Sequence, residues 1–126
     1  MIIGIGTDII EIDRVIKASE KGHFLEKYYT ENEQKIFNKK KNSVAGNFAV
    51  KEAVVKMLGT GFAGVSPKDI EVLRDDKGKP YVNLYNNAER IARELNIDVI
   101  HVSMSDNKDC AIAYVIGEHL EHGMEE

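Results

Sequence analysis

Asp8, Glu52 and Lys56 are the residues whose types and spacing could do chemistry. Glu52 falls among Val44, Ala45, Phe48, Ala49, Ala53, Val54, Val55, Met57 and Leu58, which surround nearly the whole circumference of a helix over residues 43–58. A helix that is apolar all round is a buried one, and an ionised carboxylate held there dry and unpaired would cost several kcal/mol. Glu52 therefore needs a partner. Lys56 stands one turn on, at the spacing that favours a Glu-to-Lys ion pair, worth about 0.2–0.5 kcal/mol when exposed. Asp8 offers another reading, because two carboxylates suit Mg²⁺, which takes oxygen ligands, keeps several waters and adds substrate phosphates. Asp8 equally suits the N-cap of a helix following it. Spacing alone leaves these alternatives open.

The elements that must position these residues can be read from periodicity and punctuation. Residues 1–7 are β-branched and interrupted by Gly4 and Gly6, which predicts a buried strand whose backbone something approaches closely, with Asp8 at its exit. Ile9, Ile12, Val15 and Ile16 predict an amphipathic helix from residue 9 to about 20, which Gly22 breaks. Thr30 and Glu33 have capping-box spacing for a helix to about residue 38, followed by the basic run Lys39, Lys40 and Lys41. Gly59 and Gly61 end the apolar helix, and Ser66 before Pro67 predicts a single capped turn. Residues 70–74 and 81–85 predict a hairpin, residues 86–96 a helix on Ala88, Ile91, Ala92 and Leu95, and residues 98–105 and 110–117 a second hairpin. The charged tail from Glu118 is expected to fray. Hairpins with segregated helices make an α+β fold, an antiparallel sheet packed on helices, in one domain over residues 1–126.

Composition narrows the function classes. With 43% hydrophobic and 30% charged residues in a chain of 126, the sequence reads as a soluble globular domain, small enough that one copy supplies little cleft. A net charge of -4 gives no global attraction for nucleic acid. No apolar run approaches the roughly 20 residues that span a bilayer, and no basic leader precedes Ile2. Cys110, the single cysteine, reads as a buried reduced thiol of a cytoplasmic protein. A dinucleotide fingerprint is excluded because Ile9 stands where its third glycine belongs, and neither a P-loop nor a paired zinc motif occurs.

Three segments carry a family pattern. Gly6-Thr7-Asp8 followed after five residues by Arg14 fits G-x-D-x-x-x-x-x-R. Phe48-Ala49-Val50-Lys51-Glu52-Ala53-Val54-Val55-Lys56-Met57-Leu58-Gly59-Thr60-Gly61 fits F-A-x-K-E-A-x-x-K-x-x-G-T-G, which is highly specific. Gly78-Lys79-Pro80 and Ser103-Met104-Ser105 fit G-K-P and S-x-S. Together they resemble the holo-[acyl-carrier-protein] synthase family of 4′-phosphopantetheinyl transferases, over almost the whole chain. The resemblance implies a Mg²⁺-dependent transfer of phosphopantetheine from coenzyme A to a serine of an acyl carrier protein, in support of fatty acid biosynthesis.

It further implies that Asp8 and Glu52 hold the metal, that Lys56 contacts phosphate, and that Glu52 is a candidate acceptor for the serine's proton. Gly59, Gly61, Gly78, Lys79, Pro80, Ser103 and Ser105 would line the coenzyme A site. Arg14, Lys17 and Lys21 lie along one side of the first helix, with His23 and Phe24 beyond, and would meet the acidic carrier. The family further implies a homotrimer with shared sites. Two positions depart from its pattern: Asp106 stands where a histidine is frequent, and Asn47 where an arginine is common. If Asp106 faces the phosphates it would repel them, and Asn47 would remove a phosphate contact. A relative that binds coenzyme A or the carrier without transfer is the alternative.

Overall fold

The all-round apolar segment forms a helix, α4 (Ser43–Leu58), and both sheets are arranged against it. The computed structural model describes residues 1–121. β1 (Ile2–Glu11) is followed by three short helices, α1 (Ile12–Ser19), α2 (Phe24–Tyr28) and α3 (Glu31–Lys39), and then by α4. A 3₁₀ turn, Pro67–Asp69, leads into the hairpin β2 (Ile70–Arg74) and β3 (Pro80–Leu84). Helix α5 (Asn86–Glu94) precedes a second hairpin, β4 (Val99–Asp106) and β5 (Cys110–Glu118). The strands form one antiparallel sheet in the order β1-β5-β4 and a separate two-stranded sheet, β2-β3. Hairpins and segregated helices give the α+β class that the sequence predicts.

Glycine decides how closely α4 lies on the three-stranded sheet. A Cβ built on Gly6 would stand 1.9 Å from the Ala53 carbonyl oxygen, and one on Gly4 would stand 2.8 Å from that of Met57. Only a residue without a side chain lets the helix backbone rest on β1 there. The face toward α4 continues through Ala113 and Val115, which join Ala53, Val54, Ile70 and Val72 in the main core. A second cluster unites Ile12 and Val15 of α1 with Tyr29, Val44 and Ala45. The capping box closes α3, where Thr30 accepts from the Glu33 amide and Glu33 accepts from the Thr30 amide. Ser66 and Asp69 form the same device around Pro67.

Several predicted boundaries shift. β1 runs four residues past Thr7, so Asp8 lies within the strand, paired with Ala113, and α1 starts at Ile12. Ile9 and Ile10 fit the helical period, but their ladder to Ile112 and Ala111 extends the sheet, and long-range pairing overrides the local pattern. α5 ends at Glu94. The chain does not fray at Glu118: this residue pairs with Val99, Met1 and His119 exchange two backbone hydrogen bonds of 2.8 Å, and the Leu120 amide donates to Asp98 at 2.8 Å. The rest of that expected tail, residues 122–126, lies outside the described residues. Cys110 is half-buried rather than buried, because it opens β5 at the sheet's end. No helix among the described residues is long and apolar enough to cross a membrane.

Candidate active site

α4 turns Glu52 and Lys56 to one side, a single turn apart, and the close seating on Gly6 brings that side against β1. Lys56 Nζ donates to Asp8 Oδ1 at 2.8 Å and to the Thr7 carbonyl at 3.0 Å. The expected Glu52–Lys56 ion pair is therefore not what forms, since the strand carboxylate takes the ammonium. Asp8 is no N-cap either: Glu11 occupies that position of α1 without a side-chain cap bond. Glu52 is half-buried rather than enclosed, and among the described residues its carboxylate accepts no hydrogen bond. Burial, and then the neighbouring Asp8 charge, push the Glu52 carboxyl above the usual glutamate range, with Lys56 opposing them. Like charges held together with an unbonded carboxylate fit a cation.

Glu52 sits where two clefts meet. One contains Asp8, Ile10, Arg14, Phe24 and Phe48; the other contains Tyr28, Phe48, Phe62, Val65 and Ser66. Arg14 and Phe24 also line a neighbouring groove with Lys17, Lys21, His23 and Lys27; of the basic residues singled out, Arg14 alone shares a cleft with Glu52, and Lys21 lies in the turn after α1 rather than on the helix. Gly78, Pro80 and Ser105 line a different cleft with Lys40, Arg74 and Asp106, and this cleft shares no lining residue with those around Glu52. Lys79 and Ser103 line neither. Gly59 and Gly61 terminate α4 with φ of +80° and +58°, a role that requires glycine whether or not a ligand is near. One chain thus gathers Asp8, Glu52, Lys56 and the basic groove, but leaves Gly78, Pro80 and Ser105 apart.

Comparison with known proteins decides the family. Residues 4–115 match the family described as the 4′-phosphopantetheinyl transferase superfamily. The chain belongs to that superfamily. It is similar to a holo-[acyl-carrier-protein] synthase of Lachnoclostridium phytofermentans, 61% identical over 94% of this chain and 97% of the relative. Among solved structures it is similar to the holo-(acyl-carrier-protein) synthase from Bacillus anthracis in complex with CoA (3′,5′-ADP), with a TM-score of 0.79 and 38% identity over 95% of this chain and 99% of that one. It is also similar to the Helicobacter pylori holo-[acyl-carrier-protein] synthase in complex with coenzyme A, with a TM-score of 0.80 and 32% identity over 90% of this chain and 99% of that one.

Sequence reasoning missed what this superfamily member builds on the other side of α4. Lys51 is fully buried and donates to Glu33 Oε1 at 2.8 Å, to the Pro67 carbonyl at 2.9 Å and to the Ile70 carbonyl. Glu33 Oε2 accepts from Asn47 Nδ2 at 3.0 Å and from the Val72 amide at 3.2 Å. Burial pushes Glu33 up and Lys51 down, and their mutual attraction opposes both shifts. Asn47, expected to remove a phosphate contact, has its amide enclosed in this network, where its Oδ1 accepts from Arg74 at 2.8 Å. Asp106 does face a cleft. The capping box named Glu33 and the F-A-x-K-E-A pattern included Lys51, but neither signal paired the two.

Proposed function

We propose that this chain is a holo-[acyl-carrier-protein] synthase that transfers 4′-phosphopantetheine from coenzyme A to a serine of an apo-acyl carrier protein, releasing 3′,5′-ADP. The observation that carries the proposal is the pairing of Asp8 and Glu52 at the mouth of a basic groove, on the motif positions of the superfamily. Among the described residues no third carboxylate, histidine or cysteine joins them. Two carboxylates suit Mg²⁺, which is otherwise satisfied by water and phosphate. When bound by Asp8 and Glu52, the metal would polarise the diphosphate and offset charge on the departing nucleotide.

The chain's own residues supply the rest. The carrier serine oxygen bonds to the β-phosphorus, the bond from that phosphorus to the 3′,5′-ADP oxygen breaks, and the serine proton passes to Glu52. Glu52 is the carboxylate that reaches both clefts, and it takes the proton directly or through a water. Lys56 spends two of its three N–H groups on Asp8 and Thr7, which leaves one for a phosphate oxygen. Arg14, Lys17 and Lys21, with Phe24 beside them, offer an acidic carrier a cationic landing surface.

Gly78, Lys79, Pro80, Ser103 and Ser105 are assigned to the donor's nucleotide end, with Gly59 and Gly61 fixing the end of α4. Because the Gly78 cleft is separate from Glu52 within one chain, the working unit is a homotrimer in which one subunit's donor cleft faces its neighbour's Asp8 and Glu52. The free face of the three-stranded sheet supports this: Ile5, Ile9 and Tyr114 are each more than half exposed and Ile116 lies beside them. An apolar face of this kind marks an association surface. The reaction belongs to the cytoplasm, in supply of fatty acid synthesis.

Intact mass of an apo-acyl carrier protein, incubated with the protein, coenzyme A and Mg²⁺, tests the proposal. A gain of one phosphopantetheine unit that EDTA prevents is expected. An unmodified carrier, with folded protein and a carrier competent toward another transferase, would leave only a binding relative.

A further inference from the structure

Lys51 and Glu52 are consecutive on α4, yet one is enclosed and the other opens into two clefts. The Lys51 ammonium ends on the turn Pro67–Asp69. It donates to the carbonyl of Pro67, the turn's first residue, at 2.9 Å, and to that of Ile70, the residue after its last. The same turn walls the cleft that Glu52 shares with Tyr28, Phe48, Phe62 and Val65, where Pro67 and Asp69 are lining residues. A bond at each end of so short a turn fixes both its position and its tilt.

Residues 59–69 form no strand, so this wall is not secured by a sheet ladder. From outside it is braced by the segment that opens α5: the Tyr85 amide donates to the Asp69 carbonyl at 2.8 Å, and Asn86 Nδ2 to Asp69 Oδ1 at 3.0 Å. From inside, α4 reaches it through Lys51. Glu33 Oε1 takes the remaining N–H of that ammonium at 2.8 Å, so the lysine has no spare freedom with which to let the wall drift. The spacing between the wall and α4 is therefore the length of one lysine side chain.

The proposed function places the diphosphate at Asp8 and Glu52 and the acidic carrier on the groove beside Arg14. What continues from the β-phosphorus, away from the nucleotide, is the pantetheine arm. It is uncharged and flexible, and the rings and proline of the second cleft suit it better than the basic groove does. Ordering a flexible arm opposes binding, and a wall already fixed in place adds no ordering cost of its own. We infer that Lys51, with Asn86 as the outer brace, is a positioning residue of the transfer: by tethering the Pro67–Asp69 turn to α4 it sets the width of the cleft beside Glu52, and thereby the hold on the donor's arm. The inference rests on the proposed function.

Calorimetric titration into the full chain with Mg²⁺ tests it by comparing coenzyme A with 3′-phosphoadenosine 5′-diphosphate, which keeps the nucleotide and the diphosphate but lacks the arm. Lys51→Met combined with Glu33→Gln removes the tether without stranding a buried charge. Asn86→Gly removes the side-chain brace on Asp69, is not a lining residue of the cleft, and suits a backbone φ of +53°. The double variant weakens coenzyme A on the order of tenfold and the armless ligand by less than about twofold, and Asn86→Gly shows the same selective loss at roughly threefold. If the double variant does not fold, Asn86→Gly decides alone. Equal weakening of both ligands, which a merely structural role produces, or an unchanged coenzyme A affinity overturns the inference, while coenzyme A binding by the wild type keeps the transferase reading. A wild type that prefers coenzyme A to the armless ligand by less than about twofold overturns it without any variant. A wild type that binds neither ligand overturns the coenzyme A reading and this inference together.

Discussion

Helix α4 carries two lysines that each meet a distant carboxylate at 2.8 Å, and the two pairs have opposite characters. Lys51 and Glu33 are wholly enclosed, with side-chain exposures of 0% each, and every N–H of the ammonium has a protein acceptor. Lys56 and Asp8 keep 52% and 13%, and beside them Glu52 accepts no hydrogen bond among the described residues. Removing two charges from water is tolerable only when all their hydrogen bonds are met, so the first pair fixes α3 and β2 onto α4. The second pair is incomplete by the same standard. Distance alone therefore says little about an ion pair's role; what distinguishes them is which hydrogen-bonding capacity is left over.

That contrast can be broken by substitution. Glu52→Gln or Asp8→Asn should cut transfer on the order of 10³-fold, read by single-turnover mass assay. The Glu52→Gln melting temperature should hold or rise, because burial and Asp8 already disfavour its charged form. Either variant turning over at the wild-type rate would remove the incomplete pair from the chemistry. Lys51→Met should do the reverse, lowering unfolding free energy by about 3–5 kcal/mol in denaturant melts, since it strands Glu33 without its cation. Adding Glu33→Gln should recover part of that loss, and no recovery would argue against an uncompensated charge as the cause.

Gly6→Ala tests the seating that both sides of α4 share. The new methyl meets the Ala53 carbonyl, so α4 must lift from β1, at about 1–3 kcal/mol or more, and transfer should fall along with stability. A variant that loses stability but not turnover would uncouple the seating from the Asp8–Glu52 arrangement. The smallest effect concerns Glu71, at the rim of the enclosed network. Burial raises its carboxyl, but hydrogen bonds from Thr30, Asn83, Tyr85 and Asn32 outweigh that and hold it below the usual glutamate range. A depressed folded value means stability that is present above the unfolded pKa and lost as pH falls through the folded one. Acid unfolding curves of Glu71→Gln should show a shallower loss over that window than the wild type; identical slopes would exclude this contribution.

Much of this was legible in the sequence because it is local. The all-round apolar period of residues 43–58, the Thr30–Glu33 capping box, the Ser66-Pro67 turn and the two hairpins each rest on neighbours within a few positions, and each appears in the fold. Gly4 and Gly6 correctly signalled a close backbone approach, though not that the visitor is α4. The motif positions named Asp8, Glu52 and Lys56 without their connectivity. Tertiary structure alone decided that Lys56 reaches Asp8, 48 residues away, instead of Glu52 one turn back. It alone placed Lys51 on Glu33, 18 residues away, and Arg74 on Asn47, 27 away. It also extended β1 through Glu11, where pairing with β5 outweighed a helical period. Periodicity reports which face a residue shares with its neighbours in the chain; which charge it meets depends on how α4 is rotated and seated on the sheet, and that is fixed by packing between segments far apart in the sequence.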